Sequence, residues 1–288
     1  MESLMESLMD DNFQAWIGRT ETTTDPMSCV QAQSAQAMLD DPSPTLVDGD
    51  ALPPLWHWFY FLPRAPQAAL DADGHPQRGG FLPPIPYPRR MFAGARVQWH
   101  QPLVVGVPAQ RKASIGNVLM KSGKSGRLAF VTVTNRFSQN GELCIEEAQD
   151  IVYREPGGRV EAPTAASDWP PVPEGSWTRV LQPDTRLLFR FSALTFNAHR
   201  IHYDRAYASE VEGYPGLVVH GPLTAILLSE LVRHSTARPM RAFSFRGVAP
   251  LFDLGPVRLV ATLESDELAL QAQGPDGTAA LVASATLG

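Results

Sequence analysis

The sequence predicts an α+β protein in which antiparallel sheet wraps around a buried helix. Three observations carry that reading. Residues 92–154 contain four strand-like runs in succession, FAGARVQWHQPL, QRKASIGNVLMK, GRLAFVTVTNRFS and LCIEEAQDIVYRE, with turn signals between them. The segment GPLTAILLSELVRH places Leu223, Ala225, Ile226, Leu227, Leu228, Leu231 and Val232 around most of a helix circumference. A surface helix carries one apolar stripe, whereas a helix apolar all round is buried. The chain also has 26 Pro and 22 Gly, which demand many turns and exclude a helical bundle. A buried helix among antiparallel strands is the hot dog arrangement.

The elements follow in order. Met9 to Ile17 has helix-like apolar spacing, and Cys29 to Leu39 follows Ser28, a candidate N-cap. Residues 43–90 combine Pro, Gly and aromatics in LPPLWHWFYFLP and GGFLPPIPYPRR. They read as an ordered aromatic loop with one short strand, Trp56 to Phe61. In the meander that follows, Lys121 to Gly126 and Gln139-Asn140-Gly141 are hairpin turns. The second half reads as a strand at Arg186 to Phe191, a helix from Pro222 to His234, and four strands. These are Met240 to Ala249, Pro256 to Leu263, Glu267 to Gln273 and Ala279 to Leu287, with a turn at Gly274-Pro275-Asp276-Gly277. One helix and four strands in each half suggest a diverged copy, although no sequence repeat is visible.

The chain has 288 residues, enough for about two domains at roughly 150 residues each. The composition sets residues 1–154 as a first domain, the Pro/Gly/Ala/Ser-rich residues 155–180 as a linker, and 181–288 as a second domain. The net charge of −6 excludes the basic footprint of a nucleic-acid binder. Cys29 and Cys144 are too few for a disulfide framework and read as reduced thiols. MESLMESLMDDN lacks the basic and apolar regions of a secretory signal. No apolar run is long enough to span a membrane. A cytoplasmic location is the resulting expectation.

The densest polar cluster is FSALTFNAHRIHYDRAY, with Asn197, His199, Arg200, His202, Tyr203 and Asp204. Three readings stay open for it. It is a solvated loop with Asp204 as a helix N-cap, a metal site, or an acid–base site. The metal reading lacks a distant His or Cys pattern. The acid–base reading suits histidine, which titrates near neutrality. Gly216-Leu217-Val218-Val219-His220-Gly221-Pro222 precedes the buried helix. Pro222 fits the first helical position, and the Gly221 N–H then stands at the positive helix end, where it can hold an oxyanion. The alternative is a tight turn that requires glycine.

At these residues the chain resembles (R)-specific enoyl-CoA hydratases and MaoC-like dehydratases, whose pattern is G-D-x-N-P-L-H-x-D followed by V-H-G. Here Phe196 to Asp204 and Val219-His220-Gly221 occupy those positions. FSALTFNAHRIHYD is more similar to the hydroxyacyl-thioester dehydratase type 2 group, and PRRMFAGARVQWHQPL and EEAQDIVYRE resemble that group's first half. The resemblance implies a double hot dog with a degenerate N-terminal copy. It implies addition or removal of water at the α,β-double bond of an acyl-CoA, of the dicarboxylic mesaconyl-C4-CoA or itaconyl-CoA type. Coenzyme A is then part of the substrate, no metal or other cofactor is needed, and a homodimer is plausible by analogy.

Carried over by position, His202 matches the catalytic histidine and Gly221 the glycine that binds the thioester carbonyl. The family's catalytic Asp falls on Asn197, and an amide cannot act as a base. Asn197 is therefore expected to orient water. Arg200 stands where the family has proline, and is expected to meet a distal substrate carboxylate or pair with an acid such as Asp204 or Glu230. His199, Tyr203 and Gly216 complete the expected substrate-binding set, with Arg89 and Arg90 for coenzyme A phosphates, out of a basic group that includes Arg96, Arg111 and Lys112. A thioesterase and a non-catalytic acyl-thioester binding module are the alternative functions. Gly123-Lys124-Ser125 is no phosphate loop, because six residues rather than four separate it from Gly116. The aromatics Trp56, Trp58, Phe59 and Tyr60 read as core or acyl-pocket wall, and Cys144 as core filler. His57, His75, His100 and His234 have no evident partner.

Overall fold

The computed structural model describes residues 13–123, 126–164, 169–264 and 266–288. The first half runs β1 (Thr20–Asp25), α1 (Cys29–Leu39), β2 (Arg89–Trp99), β3 (Ala109–Gly123), β4 (Gly126–Gln139) and β5 (Glu142–Arg154). The second half runs β6 (Trp177–Leu181), α2 (Thr185–Leu194), α3 (Gly221–Ser235), β7 (Met240–Gly247), β8 (Val257–Glu264), β9 (Glu267–Gln273) and β10 (Ala279–Leu287). All strands join one antiparallel sheet in the order β1-β3-β4-β5-β2-β7-β10-β9-β8-β6. Numbered within its own half, each set of five follows the same order, first-third-fourth-fifth-second. The two halves are thus topological copies that meet at β2 and β7, from Gly94 opposite Arg246 to Gln98 opposite Ala242. Gly94 lies at a bulge in β2, and a Cβ there would run into the Phe245 carbonyl oxygen across that seam.

Helix α3 is the buried centre. Residues Leu223 to Val232 are all buried, and the helix packs on strands of both halves, including β2, β6, β7 and β8. At about 25 cal/mol per Å² of apolar surface, such burial is the main force closing the sheet around the helix. Its buried polar residues Thr224, Ser229 and Glu230 are all engaged. Glu230 accepts from Trp56 Nε1 at 3.0 Å and pairs with Arg233, which also binds Asp41 at 3.0 Å. The aromatic loop is core, as Trp56 and Phe59 are fully buried.

Several elements differ from the sequence reading. Trp56–Phe59 is a 3-10 turn rather than a strand. Leu55 and Phe61 on either side have positive φ, 67° and 53°, so the chain cannot run on as an extended ladder. Arg186 to Phe191 is helical, within α2. Asp184 caps it by accepting from Leu187 N at 2.9 Å, and Leu188, Phe191 and Ser192 recur on one buried face. Strand β1 is not evident in the sequence, and β6 takes the last four residues of the expected linker and Leu181. Both are short strands at the two edges of the sheet; β1 (TETTTD) is polar, as edge strands often are, whereas β6 (WTRVL) is mostly apolar. Ser28 holds the N-cap position of α1 but makes no side-chain cap bond. Asn140 and Gly141, with φ 51° and 84°, form the two-residue turn between β4 and β5. Met9 to Asn12 of the first expected helix, and Lys124 and Ser125 of the glycine-lysine turn, lie outside the described residues. Among the described residues no helix is long and apolar enough to cross a membrane.

Candidate active site

The polar segment after α2 is folded by its own side chains. Thr195 Oγ1 donates to Phe191 O at 2.7 Å and ends the helix. Phe196 then adopts φ 51°, which turns the chain. Asn197 Oδ1 accepts from His199 N at 3.0 Å, a local turn that leads into the 3-10 turn Arg200–His202. Asp204 Oδ1 accepts from Tyr207 N at 3.1 Å, capping the next turn.

This geometry points His202 inward. Its Nδ1 lies 2.7 Å from the carbonyl oxygen of Val218, on the loop before α3. A carbonyl only accepts, so Nδ1 carries the hydrogen and Nε2 keeps its lone pair. The His202 ring stacks on His220 with centroids 3.6 Å apart and 19° between planes. His220 is the N-cap of α3, and its Nε2 lies 2.9 Å from Ser192 Oγ on α2. The residue after it is Gly221, whose N–H is in the first helical turn and has no intrahelical acceptor. Its backbone has no positive φ, and a Cβ there would meet only Phe92 O at 3.6 Å, an ordinary contact. The turn itself therefore does not require glycine.

A third and a fourth histidine extend the row. The His199 ring meets His202 edge-on at 5.3 Å and lies 4.0 Å from the His75 ring. His75 comes from the first half, on the loop Asp71–His75. Its Nδ1 bonds Asp73 Oδ2 at 2.9 Å. That loop is held to the second half by Arg200 N donating to Asp73 O at 2.9 Å. Four of the seven histidines thus converge on one site. The sequence signal for His75, a carboxylate two residues earlier in an Asp-Gly turn, says nothing of its distance to residue 199.

Burial sets the charges. It pushes His202 down to about 4, against the opposing Val218 hydrogen bond. Burial, with the charges of His202 and His199, holds His220 well below its usual value. Burial and then His75 do the same for His199. Burial also lowers His75, with Asp73 opposing. Burial alone would raise Asp73, but the hydrogen bonds and charge of His75 outweigh it and hold the carboxyl well below the usual range.

The other expected site residues divide. Asn197 spends its Oδ1 on the local turn, and no bond joins it to His202. Arg200 is no free cation, since it pairs with Asp204 at 2.8 Å, lies over the Tyr207 ring and donates to Ala72 O. Tyr203 is exposed, and its hydroxyl donates to Ala198 O at 2.9 Å. Gly216 is glycine for packing, because a Cβ would stand 2.8 Å from Asp253 Oδ1 and 2.9 Å from Leu254. Arg89 is buried and structural, paired with Glu212 at 3.0 Å. Arg90 has no acidic partner among the described residues, and its charge bears on His75, His199 and Tyr153. Asp73, His75 and His199 could share one ion, as could Asp41, Glu230 and His234, although Arg233 already neutralises the second group. A groove of about 560 Å³ over the central strands, lined by Arg96, Gln98, Arg136 and Ser244 among others, contains none of these histidines.

Ten strands around α3, with a row of buried histidines leading to a glycine at that helix's N-terminus, define a double hot dog protein of the hydratase–dehydratase class. The family model of hydroxyacyl-thioester dehydratase type 2 matches residues 55–253, and the chain belongs to that family. It is 62% identical over 277 residues to mesaconyl-C(4)-CoA hydratase of Chloroflexus aurantiacus, covering 96% of this chain and 98% of that one. It is 27% identical to the mitochondrial hydroxyacyl-thioester dehydratase type 2 of Schizosaccharomyces pombe, over 73% of this chain and 77% of that one. Solved structures share the fold. A MaoC-like dehydratase superposes with a TM-score of 0.73 at 14% identity, over 96% of this chain and 99% of its own. HtdX of Mycobacterium tuberculosis gives 0.65 at 14% identity, over 93% and 99%.

Proposed function

We propose that the chain hydrates the double bond of a dicarboxylic enoyl-CoA of the mesaconyl-C4-CoA type, with His202 as the base. One observation carries this reading: His202 presents a free Nε2 while stacked on the residue that precedes Gly221. The thioester carbonyl accepts from the Gly221 N–H, at the positive end of α3. Water's oxygen bonds to the β-carbon as its proton moves to His202 Nε2. The π pair moves onto the thioester oxygen, where the N–H stabilises the enolate charge. The 62% identity to a mesaconyl-C(4)-CoA hydratase supports the substrate class. Arg90, which has no acidic partner among the described residues and whose charge bears on His75 and His199, is the residue suited to the distal carboxylate. Reading the reaction this way routes no step through a metal or redox cofactor.

Incubation with mesaconyl-C4-CoA tests the proposal. Loss of the enoyl-thioester absorbance with no free thiol is expected. Release of thiol identifies a thioesterase, and binding without turnover identifies a binding module.

A further inference from the structure

The resemblance to MaoC-like dehydratases puts their catalytic carboxylate position on Asn197, and its side-chain oxygen is spent on a turn. Yet a carboxylate–histidine pair stands at the same site from the opposite half of the molecule. The geometry points to the Asp73–His75 pair as a second proton-transfer unit of the active site, with His75 delivering the proton to the substrate α-carbon and Asp73 positioning it. The inference rests on the hydratase reading above.

Three features support it. First, the pair is oriented as such units are. Asp73 Oδ2 holds Nδ1 of His75 at 2.9 Å, while Asp73 Oδ1 accepts from His75 N at 2.8 Å and stiffens the turn. A carboxylate on one ring nitrogen fixes the tautomer and stabilises the imidazolium. Second, the loop is pressed into place. Gly74 has φ 92°, and a Cβ there would run into the Ala198 carbonyl oxygen. Only glycine lets residues 73 and 75 come so close to residues 198–200. Third, His199 lies between His75 and His202, with ring distances of 4.0 and 5.3 Å.

The proton balance closes. In hydration His202 Nε2 removes a proton as water's oxygen bonds to the β-carbon. The resulting enolate, held at its oxygen by Gly221 N–H, takes a proton at the α-carbon from the His75 imidazolium. Asp73 balances that charge before transfer. The proton on His202 returns to His75 by way of His199 between turnovers, so none is consumed. The charged and titratable groups that bear on His75 are Asp73, His199, His202, Arg78 and Arg90.

The test uses the full chain with mesaconyl-C4-CoA and the variants His75→Gln, His75→Ala, Asp73→Asn and His202→Ala. His75→Gln should lower kcat by roughly 10²-fold or more with KM within a few-fold, the scale of a positioned acid–base group. The fall in rate as pH rises through the titration of His75, which burial places below the ordinary imidazole value, should disappear in that variant. Exogenous imidazole should restore part of the activity of His75→Ala, which no loss of packing would allow. Asp73→Asn keeps an oxygen for the turn and should still lower kcat. Normal turnover in His75→Gln with a dead His202→Ala would overturn the inference and leave the hydratase reading standing. Normal turnover in both would overturn that reading as well. Activity abolished by a chelator and restored by zinc would make Asp73, His75 and His199 metal ligands, and would also overturn the inference.

Discussion

The imidazole rings of His202 and His220 lie face to face, 3.6 Å apart at 19°. Two cations cannot share that separation in a buried site, so at least one ring stays neutral. Neutrality is what the proposed role of His202 as a base requires, and the stack fixes the plane in which its lone pair points.

The same burial makes the fold sensitive to acid. The folded-state values of His202, His199 and His220 lie below the ordinary value near 6.5. The unfolded chain therefore binds more protons than the folded one as pH drops below about 6.5. Stability from these groups is fully present above that pH and is lost as pH falls through the folded values, about 4 for His202. Thermal melts should show Tm falling from pH 6.5 to 5, where ordinary carboxylates do not yet titrate. A flat Tm across that window would show that the rings charge freely in the folded protein.

Ser192 is the hydrogen-bond partner of His220 Nε2, at 2.9 Å inside the core. Ser192→Ala leaves that nitrogen buried and unsatisfied, at a cost of about 1–3 kcal/mol. Urea or thermal unfolding should register that loss, as a drop of several degrees in Tm. An unchanged midpoint would mean that another group takes over the nitrogen.

Substrate choice separates the two arginines. Arg200 is neutralised by Asp204, whereas Arg90 has no acidic partner among the described residues. The ratio of kcat/KM for mesaconyl-C4-CoA over crotonyl-CoA should survive Arg200→Ala. It should fall by roughly 10- to 150-fold in Arg90→Met, the equivalent of a charge-assisted pair of about 1.5–3 kcal/mol. A ratio lost in Arg200→Ala and kept in Arg90→Met would reverse the assignment.

Much of this was legible in the sequence, for physical reasons that differ by region. The four strands of β7 to β10 alternate and end in recognisable turns. Helix α3 announces itself through apolar residues on every side, and Pro222 marks its start. The edge strands β1 and β6 do not show, because the polar TETTTD reads as a loop and the five residues WTRVL directly follow a Pro/Gly-rich stretch. Helix α2 reads as a strand in the sequence because Leu187, Leu188, Phe189 and Phe191 form an apolar run that either structure accepts. Its cap, Asp184, was the deciding signal. Within the site, local motifs in the sequence single out His202 and Gly221, which the fold brings together through His220. His75 could not be, since its place depends on the loop Asp71–His75 crossing to residues 124 positions later in the chain. Arg200 misled for the converse reason: its partner, Asp204, is one turn away and satisfies it without any ligand.

The central claim is that His202 is the base of a hydration reaction, and one kinetic comparison tests it most directly. Hydration of mesaconyl-C4-CoA is followed for the unaltered chain and for His202→Ala, with folding of both checked by thermal melts. Turnover without thiol release is expected in the first, and a kcat lower by roughly 10²-fold or more in the second, with KM little changed. Near-normal kcat in a folded His202→Ala protein would contradict it.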